Sequence, residues 1–595
     1  MTTRAFPLFC CLALPLHGCG GGGTAPCDIP TVIAPGSQFF TDISEESGIQ
    51  AGNYDPDPVE GTSINDHSRL AFADLNGDAF DDIVMHSLYP NALNGVPFEH
   101  LVFLNNGDGT FTDHSDASGL REIQAGFFAF ADMDNDGDQD VFAGLDIHNE
   151  IEGSHEVWLN DGQGVFTQVE NPGVDSVSYT VAANAVFADF NGDAVVDLFI
   201  GNGGTSYAVY DYLYKGNGDG TFTSWNSRLE DSAYQPSNGS VTCDYDDDGD
   251  LDIFVSTYSV STVLGHNALW ENDGSGHFED VAVERGFAAL ATGNYWLSAT
   301  DYGATEEPST DTDSYVGSNG FGIDCADVNG DGYMDVFLSA ISHPNSSDYG
   351  RTWSDPSQLL INQGPDGDYA FVNEFLERGL PFNEGDVDAA TVDFDNDGRL
   401  DLSLSRDSKY ESSYSSGDQK SWFGLMHQLE DGTFDSIGTE SGINDIDNAE
   451  WDRMKGAQNH AWADIDRDGD LDLLVGGRDQ GGGRPNFLFR NDMGSENRWL
   501  TLDLVGDGDA VNRDAIGTQV RLITESRTLL REKKSSRGMY NSEDTRSLHF
   551  GLGDLACSYE VQVRWPDGET ATFSSEALFE RGHFKVSYPD QIEAR

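Results

Sequence analysis

Residues 131–142 read ADMDNDGDQDVF. Five aspartates alternate with other residues from Asp132 to Asp140, and the chain then turns abruptly apolar at Val141 and Phe142. Like charges at this density repel one another unless a cation sits among them. The pattern returns six more times: DLNGDAFDD (74–82), DFNGDAVVD (189–197), DYDDDGDLD (244–252), DVNGDGYMD (327–335), DFDNDGRLD (393–401) and DIDRDGDLD (464–472). Successive starts lie 58, 57, 55, 83, 66 and 71 residues apart, which marks a repeat protein.

Within each copy Asp occupies position 1, Asp or Asn position 3, Asp position 5 and Asp position 9. Alternate residues of a tight loop point the same way, so positions 1, 3 and 5 converge and the returning chain brings in position 9. Such an oxygen-rich cage suits a hard cation taking six to eight oxygens, calcium before magnesium, with the position-7 carbonyl and water completing the shell. The expected ligands are therefore Asp74, Asn76, Asp78 and Asp82 with the carbonyl of Phe80; Asp132, Asp134, Asp136 and Asp140 with Asp138; and Asp189, Asn191, Asp193 and Asp197 with Val195. The series continues with Asp244, Asp246, Asp248 and Asp252 with Asp250; and Asp327, Asn329, Asp331 and Asp335 with Tyr333. It ends with Asp393, Asp395, Asp397 and Asp401 with Arg399; and Asp464, Asp466, Asp468 and Asp472 with Asp470, for up to seven Ca2+ ions. In the loops from Asp74 and Asp189, Ala replaces Gly at position 6, where a positive φ is expected, so these two loops are expected to be weaker.

An EF-hand is excluded, because it needs a bidentate Glu at position 12 and a following helix. Here position 12 is Met85, Ala143, Ile200, Val255, Leu338, Leu404 or Val475. The flanking segments, such as FFAFAD before and DVFAG after, are short, β-branched and aromatic, and read as strands. Each loop is followed by a further strand and turn, as in VFLNNGDGTF (102–111) and ALWENDGSGHF (268–278), and then by a fourth strand, as in FTDHSDASGL (111–120). Four-strand units repeated seven times predict an all-β fold, a seven-bladed β-propeller with calcium-binding A–B hairpin loops. The last unit stops at NFLFRND (486–492) without its fourth strand, while FTDISEESGI (40–49) supplies a spare copy near the start. A donated first strand would close the ring.

These repeats resemble the FG-GAP/VCBS repeats of integrin-type propellers, which implies calcium in the A–B hairpins, over residues 39–494. From 495 to 595 the texture changes. The calcium motif disappears, basic residues gather in SRTLLREKKSSRG (526–538), and WLTLDL and YEVQVRW alternate as half-buried strands of a small β-domain. NRWLTLDLVG, RSLHFGLG and VQVRWPDG together resemble the ASPIC/UnbV domain, which follows such propellers in the cartilage acidic protein family.

The formal net charge of -73 argues against nucleic acid and anionic membrane surfaces as partners. An apolar run from Phe6 to Leu16 is too short to span a bilayer. It precedes Leu-His-Gly-Cys19, which resembles a bacterial lipobox and implies a signal peptide over 1–18, lipidation of Cys19 and a flexible tether over 19–38. The expectation is an exported envelope or surface protein touching membrane only through that anchor. Cys243 and Cys325 lie in apolar strands just before aspartate loops and read as buried free thiols. His460 reads as a strand contact.

Long insertions at 291–319, 340–357 and 405–424 fall between strands on the side away from the aspartate loops. They carry Tyr295, Trp296, Tyr349, Trp353, Tyr410 and Trp422, a candidate ligand face for an extracellular glycan or protein. No catalytic constellation is legible: there is no H-E-x-x-H and no G-x-S-x-G. The function read from the sequence is adhesion or ligand binding. A secreted polysaccharide-processing enzyme and an envelope assembly scaffold stay open.

Overall fold

A computed structural model describes residues 31–49, 69–86, 100–145, 154–174, 182–203, 210–229, 236–257, 266–288, 320–340, 357–381, 385–406, 422–444, 454–479, 486–493, 497–556, 558–575 and 581–595. Strands dominate these segments, and the longest helix has four residues, Ser115–Ser118. Each aspartate loop joins the first two strands of a four-stranded antiparallel sheet, as Phe127–Ala131 and Asp140–Gly144 flank the loop of the second sheet. Six such sheets are built from consecutive strands. In the last repeat, Met454–Ala463, Asp472–Asp479 and Asn486–Asn491 take Phe40–Asp42 as their fourth strand, with Phe40 opposite Asn491.

The sheets pack face to face through apolar clusters that run around a cycle. Phe72, Ile83 and Phe103 of the first sheet meet Ala461, Leu474 and Leu488 of the last, and Phe128 and Phe130 of the second meet Ala71 and Val84 of the first. Shared clusters continue this packing from the second sheet through to the seventh. Every first strand is buried on both faces, which accounts for continuous apolar runs where an exposed sheet would alternate.

The C-terminal segment folds as two further four-stranded sheets around Leu500, Leu502, Val520, Leu522, Phe550, Val561 and Trp565. One of its loops, 534–544, leaves this domain and touches the first strand of all seven repeat sheets. Phe72 N–H donates to the Glu543 carbonyl (2.9 Å), and Phe130 N–H to the Glu543 carboxylate (2.9 Å). Ala185 N–H donates to Asn541 Oδ1 (2.8 Å), and Gly538–Met539 pairs with Gly239 and Ser240. Lys534 Nζ donates to the Cys325 carbonyl (2.8 Å), Arg537 to that of Ala389 (2.8 Å), and Trp462 N–H to Asp544 (2.9 Å). A single short segment reaching seven first strands occupies the space those strands enclose. It satisfies backbone groups that an innermost strand leaves without a ladder partner.

The structure departs from two expectations of the sequence. Cys243 and Cys325 are not free thiols; they form a disulfide between the first strands of the fourth and fifth sheets. Cys243 is the last residue and Cys325 the last but one of equivalent strands in adjacent sheets, which is what makes them neighbours. A cross-link closing 82 residues stabilises by about 2–4 kcal/mol. The Cys243→Ser/Cys325→Ser variant is accordingly expected to lose that much in urea unfolding under non-reducing conditions. Trp422 is not on a ligand face. It is 1% exposed and packs on Phe487 and Phe489, with ring centroids at 5.8 and 6.0 Å, because it sits at the mouth of the strand Phe423–Gln428 between the sixth and seventh sheets. Tyr295, Trp296, Tyr349, Trp353, Tyr410 and Cys19 lie outside the described residues. His460 is fully buried, with Ser403 and Ser405 hydroxyls at 2.8 and 2.9 Å from its ring nitrogens.

Candidate metal centres

All seven aspartate loops share one backbone path. Positions 4 and 6 have positive φ in every copy, including Asn135 (62°), Gly137 (105°), Arg467 (60°) and Gly469 (96°). This turns successive N–H groups inward. The position-6 N–H donates to the position-1 carboxylate in each loop, as Gly137 to Asp132 (2.8 Å) and Gly332 to Asp327 (3.0 Å). Ala79 and Ala194 adopt the same conformation, at φ 71° and 64°, and keep the bond at 2.8 and 2.7 Å. The loop therefore survives the substitution, and alanine bears the steric cost of the left-handed region, about 1 kcal/mol. Ala79→Gly and Ala194→Gly are each expected to raise stability by roughly 0.5–1 kcal/mol, net of the entropy glycine adds to the unfolded chain. Thermal melts would show it.

Position 9 has a role that the spacing alone does not reveal. One oxygen of Asp82, Asp140, Asp197, Asp252, Asp335, Asp401 and Asp472 accepts the N–H of a residue on the third strand of its own sheet, at 2.7–2.9 Å. That residue is Asn105, Asn160, Gly216, Asn272, Asn362, Gln428 or Asn491. In five loops the second oxygen accepts the position-2 N–H. In Asp252 and Asp401 that second oxygen is buried without a hydrogen-bond partner.

The third-strand amides also tie each loop to the next sheet. Asn160 Nδ2 donates to the Leu75 carbonyl (2.9 Å), Asn272 to Phe190 (3.0 Å), Asn362 to Tyr245 (2.8 Å) and Gln428 to Val328 (2.9 Å). Asn491 donates to Phe394 (2.8 Å), and Asn105 to Ile465 (2.9 Å) across the seam. Where glycine stands at 216, Gly220 N–H reaches the Met133 carbonyl instead (3.3 Å). The Asn of N-D-G-x-G is thus a structural residue whose signal, its recurrence before the turn, was present in the sequence.

Three carboxylates each from Asp132, Asp134 and Asp136; Asp244, Asp246 and Asp248; Asp393, Asp395 and Asp401; and Asp464, Asp466 and Asp472 place oxygens within 4.8 Å of one another. The loops from Asp74, Asp189 and Asp327 have Asn at position 3 and one carboxylate fewer. Buried oxygens of Asp246, Asp252, Asp401, Asp464 and Asp466 have no hydrogen-bond partner. A carboxylate oxygen buried without a donor is costly unless a cation faces it, so these residues fit a divalent ion. Burial pushes the Asp82 and Asp140 carboxyls up to about 8 and that of Asp197 to about 7. The loops are not equivalent. Lys215 places its ammonium against Asp193 and Asn191 in the third, and Arg564 pairs with Asp244 and Asp247 in the fourth.

Arg564 belongs to the C-terminal domain, which sits on the aspartate-loop face. Arg521 pairs with Asp247 (3.0 Å), Arg527 donates to the Gly398 carbonyl (2.6 Å), His583 lies 3.2 Å from Asp464, and Asp132 N–H donates to Asp514 (2.8 Å). Basic side chains spread over this domain thus dock it on an acidic face, and of the basic cluster in the sequence Arg527 takes part there while Lys534 and Arg537 reach Asp324 and Asp388 of the first strands.

The family described as ASPIC and UnbV matches residues 508–583, and that described as FG-GAP-like repeat matches 100–143 and 189–255. The chain carries FG-GAP-like repeats and an ASPIC/UnbV domain. It is similar to cartilage acidic protein 1 of Xenopus tropicalis, 25% identical over 343 residues, covering 55% of this chain and 42% of that one. The mouse and human proteins of that name are 26% and 25% identical over 335 and 334 residues, with 42% and 41% of their lengths covered. The chain thus spans less than half the length of these relatives. The crystal structure of exotype rhamnogalacturonan lyase YesX aligns over 72% of each chain at 12% identity, with a TM-score of 0.36.

Proposed function

We propose that this is an exported, calcium-loaded seven-bladed propeller that binds an extracellular glycan or protein ligand on the face opposite its aspartate loops. The observation that carries this reading is the docking of the ASPIC/UnbV domain. It covers the loop face and fills the space enclosed by the first strands. The connections after each second strand, such as those leaving Ala340 and Arg406, start at the other ends of the strands and lead into the long insertions. The seven cyclically packed sheets support seven blades. Partnerless buried carboxylate oxygens support one calcium ion per well-formed loop. The disulfide supports an oxidising compartment, in keeping with export and an anchor at Cys19.

The test is an array of extracellular polysaccharides and matrix proteins probed with the calcium-loaded chain. Binding is expected, and it should vanish when 341–356 and 407–421 are replaced by short Gly-Ser connections while calcium-dependent melting stays unchanged. No signal from the intact chain on any probe overturns the reading.

A further inference from the structure

We infer that the loop of the sixth sheet is a mixed-ligand site for a first-row transition ion, zinc being the best match, and not a calcium site. The inference rests on reading the aspartate loops as cation sites, and departs from it at this one. In the other six loops the position-5 side chain is exposed and can share a cation with water. In the sixth, Asp393, Asp395, Asp397 and Asp401 are all 2% exposed or less.

The C-terminal domain seals this loop. Asn497 Nδ2 donates to the Asp395 carbonyl (2.7 Å), Gly551 N–H to the Asp393 carboxylate (3.1 Å) and Gly553 N–H to the Asn396 carbonyl (3.0 Å). His549 Nε2 meets Asn396 Oδ1 at 2.5 Å. Calcium sites ordinarily keep room for six to eight oxygens, water among them. A closed pocket favours an ion content with fewer ligands.

The ligand set differs as well. The residue just before the third-strand Asn or Gln faces the loop. The equivalent residue is apolar at Leu104, Leu159 and Ile361 and charged at Lys215, Glu271 and Arg490; only the sixth sheet places an imidazole there, that of His427. His427 Nε2 lies 3.1 Å from Asp395 Oδ2 and 3.8 Å from Asp397 Oδ2. His427 Nε2 and Asp395 Oδ2 pair with each other, whereas Asp401 Oδ2, on a side chain 0% exposed, has no hydrogen-bond partner. Asp395 belongs both to a cluster with Asp397 and His427 and to one with Asp393 and Asp401. Arg399 already pairs with Asp397, so Asp395, which the two groups share, is the carboxylate left to face the ion with the imidazole, with Asp393 and Asp401 on its other side. Imidazole nitrogen beside carboxylate oxygens suits zinc, cobalt or manganese, whereas calcium prefers oxygen throughout.

The test uses the full chain, stripped by chelator and then dialysed against 1 mM-scale calcium with a few equivalents of Co2+ or Zn2+. Metal content and the visible cobalt bands are read together. The expected result is about one equivalent of transition ion retained against excess calcium, with cobalt bands that disappear in His427→Gln while calcium content is unchanged. If wild type retains no more Co2+ or Zn2+ than His427→Gln, the inference is overturned, whether calcium or a protonated imidazole fills the loop. Calcium bound elsewhere without cobalt sinks this inference alone. Cobalt retained with no calcium anywhere sinks the calcium reading instead.

Discussion

Chelating calcium is expected to cost the protein about 4 kcal/mol or more and to lower its melting temperature steeply. A ligand that binds only the native state adds RT ln(1 + [L]/Kd), about 1.4 kcal/mol per site at tenfold excess. Apart from the loop of the sixth sheet, three loops bring three carboxylates within 4.8 Å, and those three sites alone reach that sum. The effect has a pH signature. Burial raises the Asp82 and Asp140 carboxyls to about 8, against 3.8 unperturbed. A raised carboxyl favours the native state below its unfolded pKa, and that contribution is lost as pH rises through the folded value. The chelated protein should therefore grow less stable between pH 4 and 8, and the increment restored by calcium should widen over the same range. Melting curves at pH 5 and 8, with calcium or chelator, measure both. A midpoint indifferent to chelator would remove the structural role assigned to these loops.

Arg537→Ala is expected to cost about 3–5 kcal/mol. The Arg537 side chain is 2% exposed and donates to both oxygens of Asp388 (3.1 and 3.2 Å), to the Ala389 and His460 carbonyls (2.8 Å each) and to Asp544 (2.6 and 3.0 Å). Burial alone would raise the Asp388 carboxyl, but the guanidinium and His460 hold it down at about 2. Truncation strands a buried carboxylate, which is the expensive way to break a buried pair. Arg537→Lys should lose less, since one donor remains for Asp388. Arg537→Ala/Asp388→Ala should lose less than the two single changes added together. Urea unfolding of the wild type and the four variants, Asp388→Ala among them, decides it, and a loss below about 1 kcal/mol for Arg537→Ala would show that the segment 534–544 is a passive filler.

The aspartate loops and their strands were legible in the sequence because their determinants are local. Oxygen ligands must alternate over nine residues, and apolar runs must flank them. The donated strand was legible for the same reason, since FTDISEESGI copies FTDHSDASGL. What escaped was set by contacts between distant positions. The bond from Phe130 to Glu543 spans 413 residues and follows no period. The docking of the C-terminal domain left a trace only as basic residues clustered in a strongly acidic chain. The disulfide was hidden because its cysteines are 82 residues apart, although both lie near the ends of first strands in adjacent repeats. Trp422 was misread because it follows a polar insertion, and sequence alone does not mark where the insertion ends and the strand begins.

The pairing of Phe40–Asp42 with Asn486–Asn491 also orders events in time. A chain emerging from its N-terminus makes the closing strand first and its partner last, with seven hairpins to appear between them. Until then Phe39 and Phe40, which end buried against Phe394 and Trp462, have nowhere to go. Contacts this remote in sequence form late and leave apolar surface exposed meanwhile. The seam is thus a completion check: a chain truncated before Asn486 keeps a sticky, unclaimed end, and only the full set of repeats can retire it.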